Sequence, residues 1–258
     1  MDEKNLPGYV SGFDPERNIR ELGGIEARDG RRVRHGLLYR GSTLGNLSDE
    51  ERAGVDGLGL ACIFDLRAAA EADTFPEYIP EGTAHQRVAG MYGPDGAEMD
   101  FSPAAIARME SSGGEPVDIM RALYLSMVRD NPALHALVDH LKTHDAPLYF
   151  HCSAGKDRTG IAAALILTIL GVDDGTIIRN FLDTNIYRAE MISNPPDPLP
   201  PMFPTKELWV QANEVYPANL QAVLDAWGTQ GPSREHFLQE EFALDKDTLS
   251  SLRSFYLH

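Results

Sequence analysis

Leu148-Tyr149-Phe150-His151-Cys152-Ser153-Ala154-Gly155-Lys156-Asp157-Arg158-Thr159-Gly160-Ile161 is the run on which the reading of this chain turns. Its first residues are apolar and aromatic, enough for a short buried strand, and Ile161 to Leu170 is almost wholly apolar, as a core helix is. The residues between them form a strand-to-helix loop. Such a loop aims successive backbone N–H groups, and the positive end of the helix dipole, at one spot that favours an anion. A thiol at that spot ionises more easily, because the same N–H groups and nearby cations stabilise the thiolate. Cys152 is therefore the candidate nucleophile. Arg158, six residues on, has a planar fork that can grip two oxygens of a phosphate while the thiolate attacks phosphorus. Ser153, Ala154, Gly155, Lys156, Asp157 and Arg158 are the candidate phosphate cradle. A bare Cys-x5-Arg pair is a weak signal that chance can supply; the whole string, with His151 before Cys152, Gly155 and Gly160 for tight turns and Thr159 beside Arg158, carries the reading over a structural cysteine in a βα turn.

At these residues the chain resembles the protein tyrosine phosphatases, and among them the bacterial atypical tyrosine phosphatases, whose loop carries Lys-Asp before the Arg. The same likeness runs through Asn18 to Gly24, Gly36 to Ser42, Asp65-Leu66-Arg67 with Glu71, and Ser251 to Leu257, so it covers the chain nearly end to end. Ile19 and Glu21 stand where relatives usually have Phe and Asp, which affects no chemical role. The resemblance implies a single-domain α/β fold of the tyrosine phosphatase type, with a short, mostly parallel central sheet flanked by helices and a helical lid. It implies a catalytic Asp inside the loop, which makes Asp157 the first candidate for the general acid, with Asp95 and Asp65 as runners-up. His151 is expected to orient the loop and help keep Cys152 ionised, and Thr159 to hydrogen-bond the departing sulfur. Lys156 adds positive charge beyond what one phosphotyrosine needs. Relatives with Lys-Asp in the loop act on phosphotyrosine, phosphoserine or phosphothreonine, and often phosphoinositides; phosphotyrosine is the favoured substrate here, with a phosphoinositide as the alternative. Two other classes stay open: a phosphate-binding module without turnover, and an arsenate- or sulfur-transferring enzyme, for which Cys62 is the one other thiol.

Bulk properties narrow the field. The 258 residues are 43% hydrophobic, ample for a core, and one domain over residues 1–258 is expected. A formal net charge of −16 and a pI near 4.8 disfavour nucleic acid or an anionic membrane as a standing partner, while a local cationic pocket could still collect a phosphorylated protein or a phosphoinositide. Two cysteines make neither a disulfide framework nor a metal cluster, and the chemistry calls for no cofactor. Met1 to Asn5 lacks the basic and apolar regions of a signal peptide, so a reduced cytoplasm is expected, with signal-less secretion left open. The apolar run Ile161 to Val172 is too short to span a bilayer. Oligomeric state leaves no trace in the pattern.

Outward from the loop, residues 1–35 read as irregular, with a short strand or turn around Ile25 to Val33 and a solvated basic run of Arg31, Arg32 and Arg34. Leu37 to Arg40 reads as a strand whose C-terminal end makes Arg40 a candidate for the pocket. Ser48 with Glu51 forms a capping box for a helix that closes near Gly57 to Gly59. Leu60 to Phe64 reads as a doubly covered strand beside Leu148 to Phe150. Asp65 is expected to cap a helix Leu66 to Asp73, and Arg67 to pair with Glu71 at i,i+4 spacing; emergence of both beside the phosphate loop is the functional alternative. Buried Cys62 acts as a small hydrophobe or as a redox partner of Cys152. Ala84 to Val88 is a further short strand. The segment of about 90–115, with a helix Pro103 to Glu110 and an apolar underside of Met91, Tyr92, Met99 and Phe101, reads as a lid, and its Asp95 as an acid or a plain turn residue. Helices are expected over Val117 to Arg129, Ala133 to His144 (capped by Asn131), Asp173 to Asn185, Trp209 to Tyr216, Pro217 to Trp227, Ser233 to Glu241 and Asp247 to Leu257, with a proline-rich loop over 193–205. His135, His140 and His144 read as solvent-facing rather than metal-binding.

Overall fold

In the computed structural model, which describes residues 5–93, 95–100, 116–201, 203–228 and 232–258, the apolar run before the cysteine is the central strand of a five-stranded sheet. The strands are β1 (Arg20–Glu21), β2 (Leu38–Gly41), β3 (Cys62–Asp65), β4 (Ala84–Arg87) and β5 (Leu148–His151), in the order β1-β2-β5-β3-β4. β1 runs antiparallel to β2, and the other pairs are parallel. Every residue of β2, β3 and β5 is buried, as expected of strands covered on both faces. Alternation along the strands splits the core. Leu148, Phe150, Cys62 and Phe64 join the larger cluster with the main helices, while Tyr149 and Ile63 join Phe13, Ile19, Tyr39 and Val55 on the other face. Because the inner strands are parallel and Gly41, His151 and Asp65 lie in register, all three hand the chain to loops at one edge.

The larger core is built around α5 (Asp157–Ile169), which starts at the loop and is buried at every one of its 13 residues. A helix apolar all round must be covered all round. That cover comes from α4 (Pro132–Lys142), α6 (Asp174–Tyr187), α9 (Pro217–Ala226), α11 (Lys246–Tyr256) and α3 (Pro116–Ser126). At Gly160 an added Cβ would lie 2.7 Å from the Phe181 ring, so glycine sets how closely α6 approaches. The remaining helices are α1 (Asp49–Gly57), α2 (Ala69–Thr74), α7 (Ala189–Ser193), α8 (Lys206–Asn213) and α10 (Pro232–Phe242). The capping box of Ser48 and Glu51 forms as read, and Asp173, Thr205 and Asp245 cap α6, α8 and α11.

Several expectations change. β3 begins two residues after Leu60 and includes Asp65, which caps no helix: its carboxylate accepts from the Arg67 N–H at 2.9 Å and from the Arg67 guanidinium. That local pairing turns the chain before a helix can start, so α2 begins at Ala69 and Arg67 cannot pair with Glu71 at helical spacing. Arg67 binds Asp65 and Glu77 instead. Cys62 stands opposite Leu148, four positions back along β5 from Cys152. That is about 13 Å along a strand, beyond disulfide reach, so the redox pairing and the resolving thiol are both removed. Burial pushes the Cys62 thiol up to about 11, as suits a small hydrophobe. His135, His140 and His144 are half-buried rather than fully solvent-facing, and His144 stacks on Phe255 with ring centroids 4.6 Å apart. The helix Pro103 to Glu110 and Phe101 lie outside the described residues, as does Met202 within the proline-rich loop. Of the apolar underside, Met91 is buried and Met99 packs against the larger core.

Asn131 closes one junction twice over. Its Oδ1 accepts from Ala133 N and Leu134 N at 3.1 Å, and its Nδ2 donates to Gly90 O at 3.0 Å, all in a buried setting. Asn131→Ala should cost about 2 kcal/mol, from a lost cap and an orphaned carbonyl. Urea unfolding measures this, and an unchanged midpoint would remove Asn131 from the account.

Candidate active site

The cysteine loop is fitted tightly to the end of β2. Gly155 has φ of +66°, and a Cβ there would lie 2.3 Å from the Gly41 carbonyl carbon, so only glycine serves. The Gly155 carbonyl accepts from Asn18 Nδ2 at 2.9 Å and from Arg40 Nη2 at 3.1 Å. Tyr149 Oη donates to Ser42 O at 2.5 Å, and Thr43 N donates to Ser153 O at 3.2 Å. Arg40 is fully buried and also donates to Asn180 Oδ1 at 3.0 Å. It supports the loop from beneath and does not line the pocket, contrary to the expectation from its place at a strand end.

Cys152 lines a cleft of about 520 Å³ together with Ser153, Ala154, Lys156, Asp157 and Arg158. Arg158 is aimed by a carboxylate. Its Nη1 donates to Glu71 Oε2 at 2.6 Å and its Nη2 to Glu71 Oε1 at 2.8 Å, while Ser153 Oγ donates to Glu71 Oε1 at 2.7 Å. Glu71 also accepts from Ala68 N at 3.0 Å, which closes the first turn of α2. Burial pushes the Cys152 thiol up, but the Arg158 charge and the Thr159 hydroxyl and N–H outweigh it, leaving the thiol below its ordinary value. Arg158, despite burial, is held firmly protonated by Glu71 and Cys152.

Beneath the loop sits a second, fully enclosed network. His151 Nδ1 is 3.0 Å from Cys152 O, and its Nε2 is 3.0 Å from Glu77 Oε2 and 3.9 Å from Asp65 Oδ1. Burial pushes this imidazole down, but Glu77 and Asp65 outweigh that and raise it. Burial likewise opposes ionisation of Glu77, yet the nearby charges of His151 and Arg67 hold it well below the usual carboxylate range. Arg67 donates to Asp65 Oδ2 at 2.8 Å and to Glu77 Oε1 at 2.7 Å. One ligand atom each from Asp65, Glu77 and His151 falls within 4.8 Å of the others, a spacing that could suit a metal ion, but the guanidinium of Arg67 already supplies the cation between the two carboxylates.

Of the three acids named for proton transfer, Asp157 lines the cleft, its Oδ1 accepting from the buried Tyr124 Oη at 2.6 Å. Asp65 is wholly buried with both oxygens committed to Arg67, and Asp95 is an exposed turn residue whose Oδ1 accepts from Ala97 N at 3.1 Å. Lys156 also lines the cleft, but its ammonium donates to Ala212 O and Glu214 O at the C-terminal end of α8 and lies 3.5 Å from Asp157 Oδ2. Its charge is spent on a helix end as much as on the cleft. The reading from sequence missed Glu71 as the Arg158 partner, Asn18 and Tyr124 as supports, and Arg188 as a cleft residue.

The sequence model described as the tyrosine phosphatase family matches residues 13–258. A protein named as a tyrosine-protein phosphatase in Cupriavidus necator is 32% identical over 261 residues, covering 95% of this chain and 87% of that one. The triple specificity protein phosphatase PtpB of Mycobacterium tuberculosis is 31% identical over 175 residues, covering 59% of this chain and 62% of its own length. Among solved structures, the core catalytic domain of the PP-IP phosphatase Siw14 from S. cerevisiae aligns with a TM-score of 0.32 at 15% identity, over 79% of this chain and 96% of that one.

Glu71→Gln should destabilise the fold by about 3 kcal/mol at neutral pH, because it leaves the Arg158 guanidinium buried without its counter-charge. Burial raises the Glu71 carboxyl, but Arg158 and Ser153 pull it below its ordinary value. The stability it contributes is therefore present above the unfolded value near 4 and lost as pH falls through the folded value. Urea midpoints of the two proteins should converge in acid; a constant gap from pH 7 down to acid would contradict the pairing. Thr159→Val should move the pH midpoint of Cys152 alkylation by iodoacetamide upward, because it removes a hydroxyl that favours the thiolate.

Proposed function

The chain belongs to the tyrosine phosphatase family, and on that premise we propose that it hydrolyses phosphate monoesters, phosphotyrosine foremost, through a cysteinyl phosphate formed on Cys152. Two oxygens of the substrate phosphate sit on the Arg158 fork and the N–H groups from Ser153 to Arg158 receive the rest, so charge that builds on the equatorial oxygens meets donors already in place. The thiolate attacks phosphorus in line; the S–P bond forms as the P–O bond to the leaving group breaks. Asp157 gives its proton to the leaving oxygen. Water then attacks phosphorus, Asp157 takes its proton, and the S–P bond breaks to release phosphate and restore the thiolate. Tyr124 occupies Oδ1 of Asp157, which leaves Oδ2 for the travelling proton.

The observation that carries this reading is the shared cleft of Cys152, Asp157 and Arg158, with Arg158 clamped by Glu71 and the thiol lowered by Arg158 and Thr159. A binding module would need one of these parts missing. The relative named for triple specificity supports extending the substrates to phosphoserine and phosphothreonine. We take residues 1–258 as one phosphatase domain. A cytoplasmic setting agrees with two thiols kept reduced, and a net charge of −16 speaks against nucleic acid as a partner. Among the described residues no helix is long and apolar enough to cross a membrane.

The test is steady release of phosphate from p-nitrophenyl phosphate, abolished in Cys152→Ser; a single stoichiometric burst would instead favour the binding module. Asp157→Asn should lower turnover of phenyl phosphate by about 10²- to 10⁴-fold and that of p-nitrophenyl phosphate far less, since only the poorer leaving group needs the proton. Equal losses would move the acid elsewhere.

A further inference from the structure

Close approach to Gly41 demands glycine at position 155, and the same choice leaves the peptide that follows it easy to rotate. Which way that peptide faces matters, because a planar trans peptide points its carbonyl and the next N–H in opposite directions. Two buried donors hold the Gly155 carbonyl, Asn18 Nδ2 at 2.9 Å and Arg40 Nη2 at 3.1 Å, and neither residue lines the cleft. The carbonyl is thus turned away from the cleft, and the N–H of Lys156, which does line it, is turned toward it. Rotated by half a turn, the peptide would present a carbonyl oxygen to the substrate's phosphate oxygens. The Lys156 N–H has no acceptor among the described residues, although Lys156 is buried. A buried N–H left open in this way is completed by a ligand or by water.

The Asn18 amide has its orientation imposed on it. Arg20 lies fully buried beside it, and a guanidinium has donors only. Arg20 Nη1 donates to Asn18 Oδ1, which leaves Nδ2, the donor end of the amide, for the Gly155 carbonyl. Arg20 Nη2 is fixed in turn by Asn180 O at 2.9 Å and Thr184 Oγ1 at 3.2 Å, both on α6. Asn18 is itself fully buried and has φ of +56°, a left-handed conformation that asparagine adopts more readily than most side chains. Neither Arg20 nor Asn18 lines the cleft. Taking the function proposed above as its basis, we propose that Arg20 and Asn18 are positioning residues for phosphoryl transfer: Arg20 orients the Asn18 amide, Asn18 turns the Gly155–Lys156 peptide, and the Lys156 N–H is thereby aimed at an equatorial oxygen of the transferring phosphoryl group.

The experiment replaces the Asn18 donor by an oxygen of the same shape, in the full chain. In Asn18→Asp the carboxylate keeps a partner in Arg20 but meets the Gly155 carbonyl with an oxygen, so the peptide rotates and gives its N–H to the carboxylate. Turnover of p-nitrophenyl phosphate should fall about 10²-fold, the cost of one lost transition-state donor, with kcat falling more than KM rises. Asn18→Gly suits the left-handed backbone and leaves Arg40 to hold the carbonyl alone, so its turnover should lie between those of wild type and Asn18→Asp. The direct readout is the backbone amide of Lys156, one of five lysines in the chain, observed by 15N-lysine labelling and assigned by its absence in Lys156→Arg. Saturating inorganic phosphate should shift that resonance in wild type and leave it unmoved in Asn18→Asp. A wild-type Lys156 amide indifferent to bound phosphate overturns the proposal, as does a full response in Asn18→Asp, which would make any loss of turnover there merely structural. Should Asn18→Asp not fold, Asn18→Gly decides by the same resonance: a weakened response supports the role of Asn18, and an undiminished one refutes it. A wild type whose Lys156 amide answers phosphate without turning over p-nitrophenyl phosphate would count against the proposed phosphatase reaction and leave the aim of the peptide standing.

Discussion

Cys152, a buried thiol whose surroundings favour its ionised form, sets the requirement to which the rest of the fold answers. The molecule is acidic overall, yet around the loop it gathers Arg20, Arg40, Arg67, Arg158 and Arg188, all nearly or wholly buried. Arg158 and Arg67 are balanced by carboxylates, whereas Arg20 and Arg40 are held by amide and hydroxyl oxygens and backbone carbonyls. Burial lowers the pKa of both, with Asp183 acting against it at longer range. Buried cations are thus gathered beside the thiol of a protein that is acidic overall, and each depends on oxygen partners to sit there.

The sheet gives that arrangement its rigidity. Parallel pairing of β5 between β2 and β3 places Gly41, His151 and Asp65 side by side, so the loop leaves between two neighbours that can both hold it. From the β2 side come Arg40 and the close contact at Gly155; from the β3 side come Leu66 O, which accepts from Arg158 Nη1 at 3.3 Å, and Glu71. The loop is thus fixed by backbone and side chains of elements far apart in the chain, and fixing donors before the substrate arrives is what makes them effective in a transition state.

The sequence made legible what depends on short range. Strand, loop and helix around Cys152, the capping box at Ser48 and the Asn131 cap all rest on neighbours within a few positions, and each forms, although the helix starts at Asp157, four residues before the Ile161 that the apolar pattern marks. Pairings across the chain were illegible. Arg158 and Glu71 are 87 residues apart and Asn18 and Gly155 are 137 apart, so no periodicity connects them. The nearest local rule, i,i+4 spacing, assigns Glu71 to Arg67; the competing Asp65 carboxylate, two residues away and buried, takes Arg67 instead and stops the helix that the rule requires.

The same logic separates the two acidic residues that flank the loop's fate. Asp65 closes β3 and Asp157 opens α5, both at the same edge of the sheet, and composition alone does not distinguish them. Asp65 faces Arg67 beneath the loop, where both its oxygens accept from the guanidinium and neither reaches the cleft. Asp157 heads α5 inside the cleft, with Tyr124 holding one oxygen and the other directed toward Lys156 at 3.5 Å, a looser contact. A group that must both give and take a proton has to be reachable and must not be locked into a bidentate pair. Of the two, Asp157 alone meets that condition, because the chain turns at Gly155 and opens α5 in the cleft that Cys152 also lines.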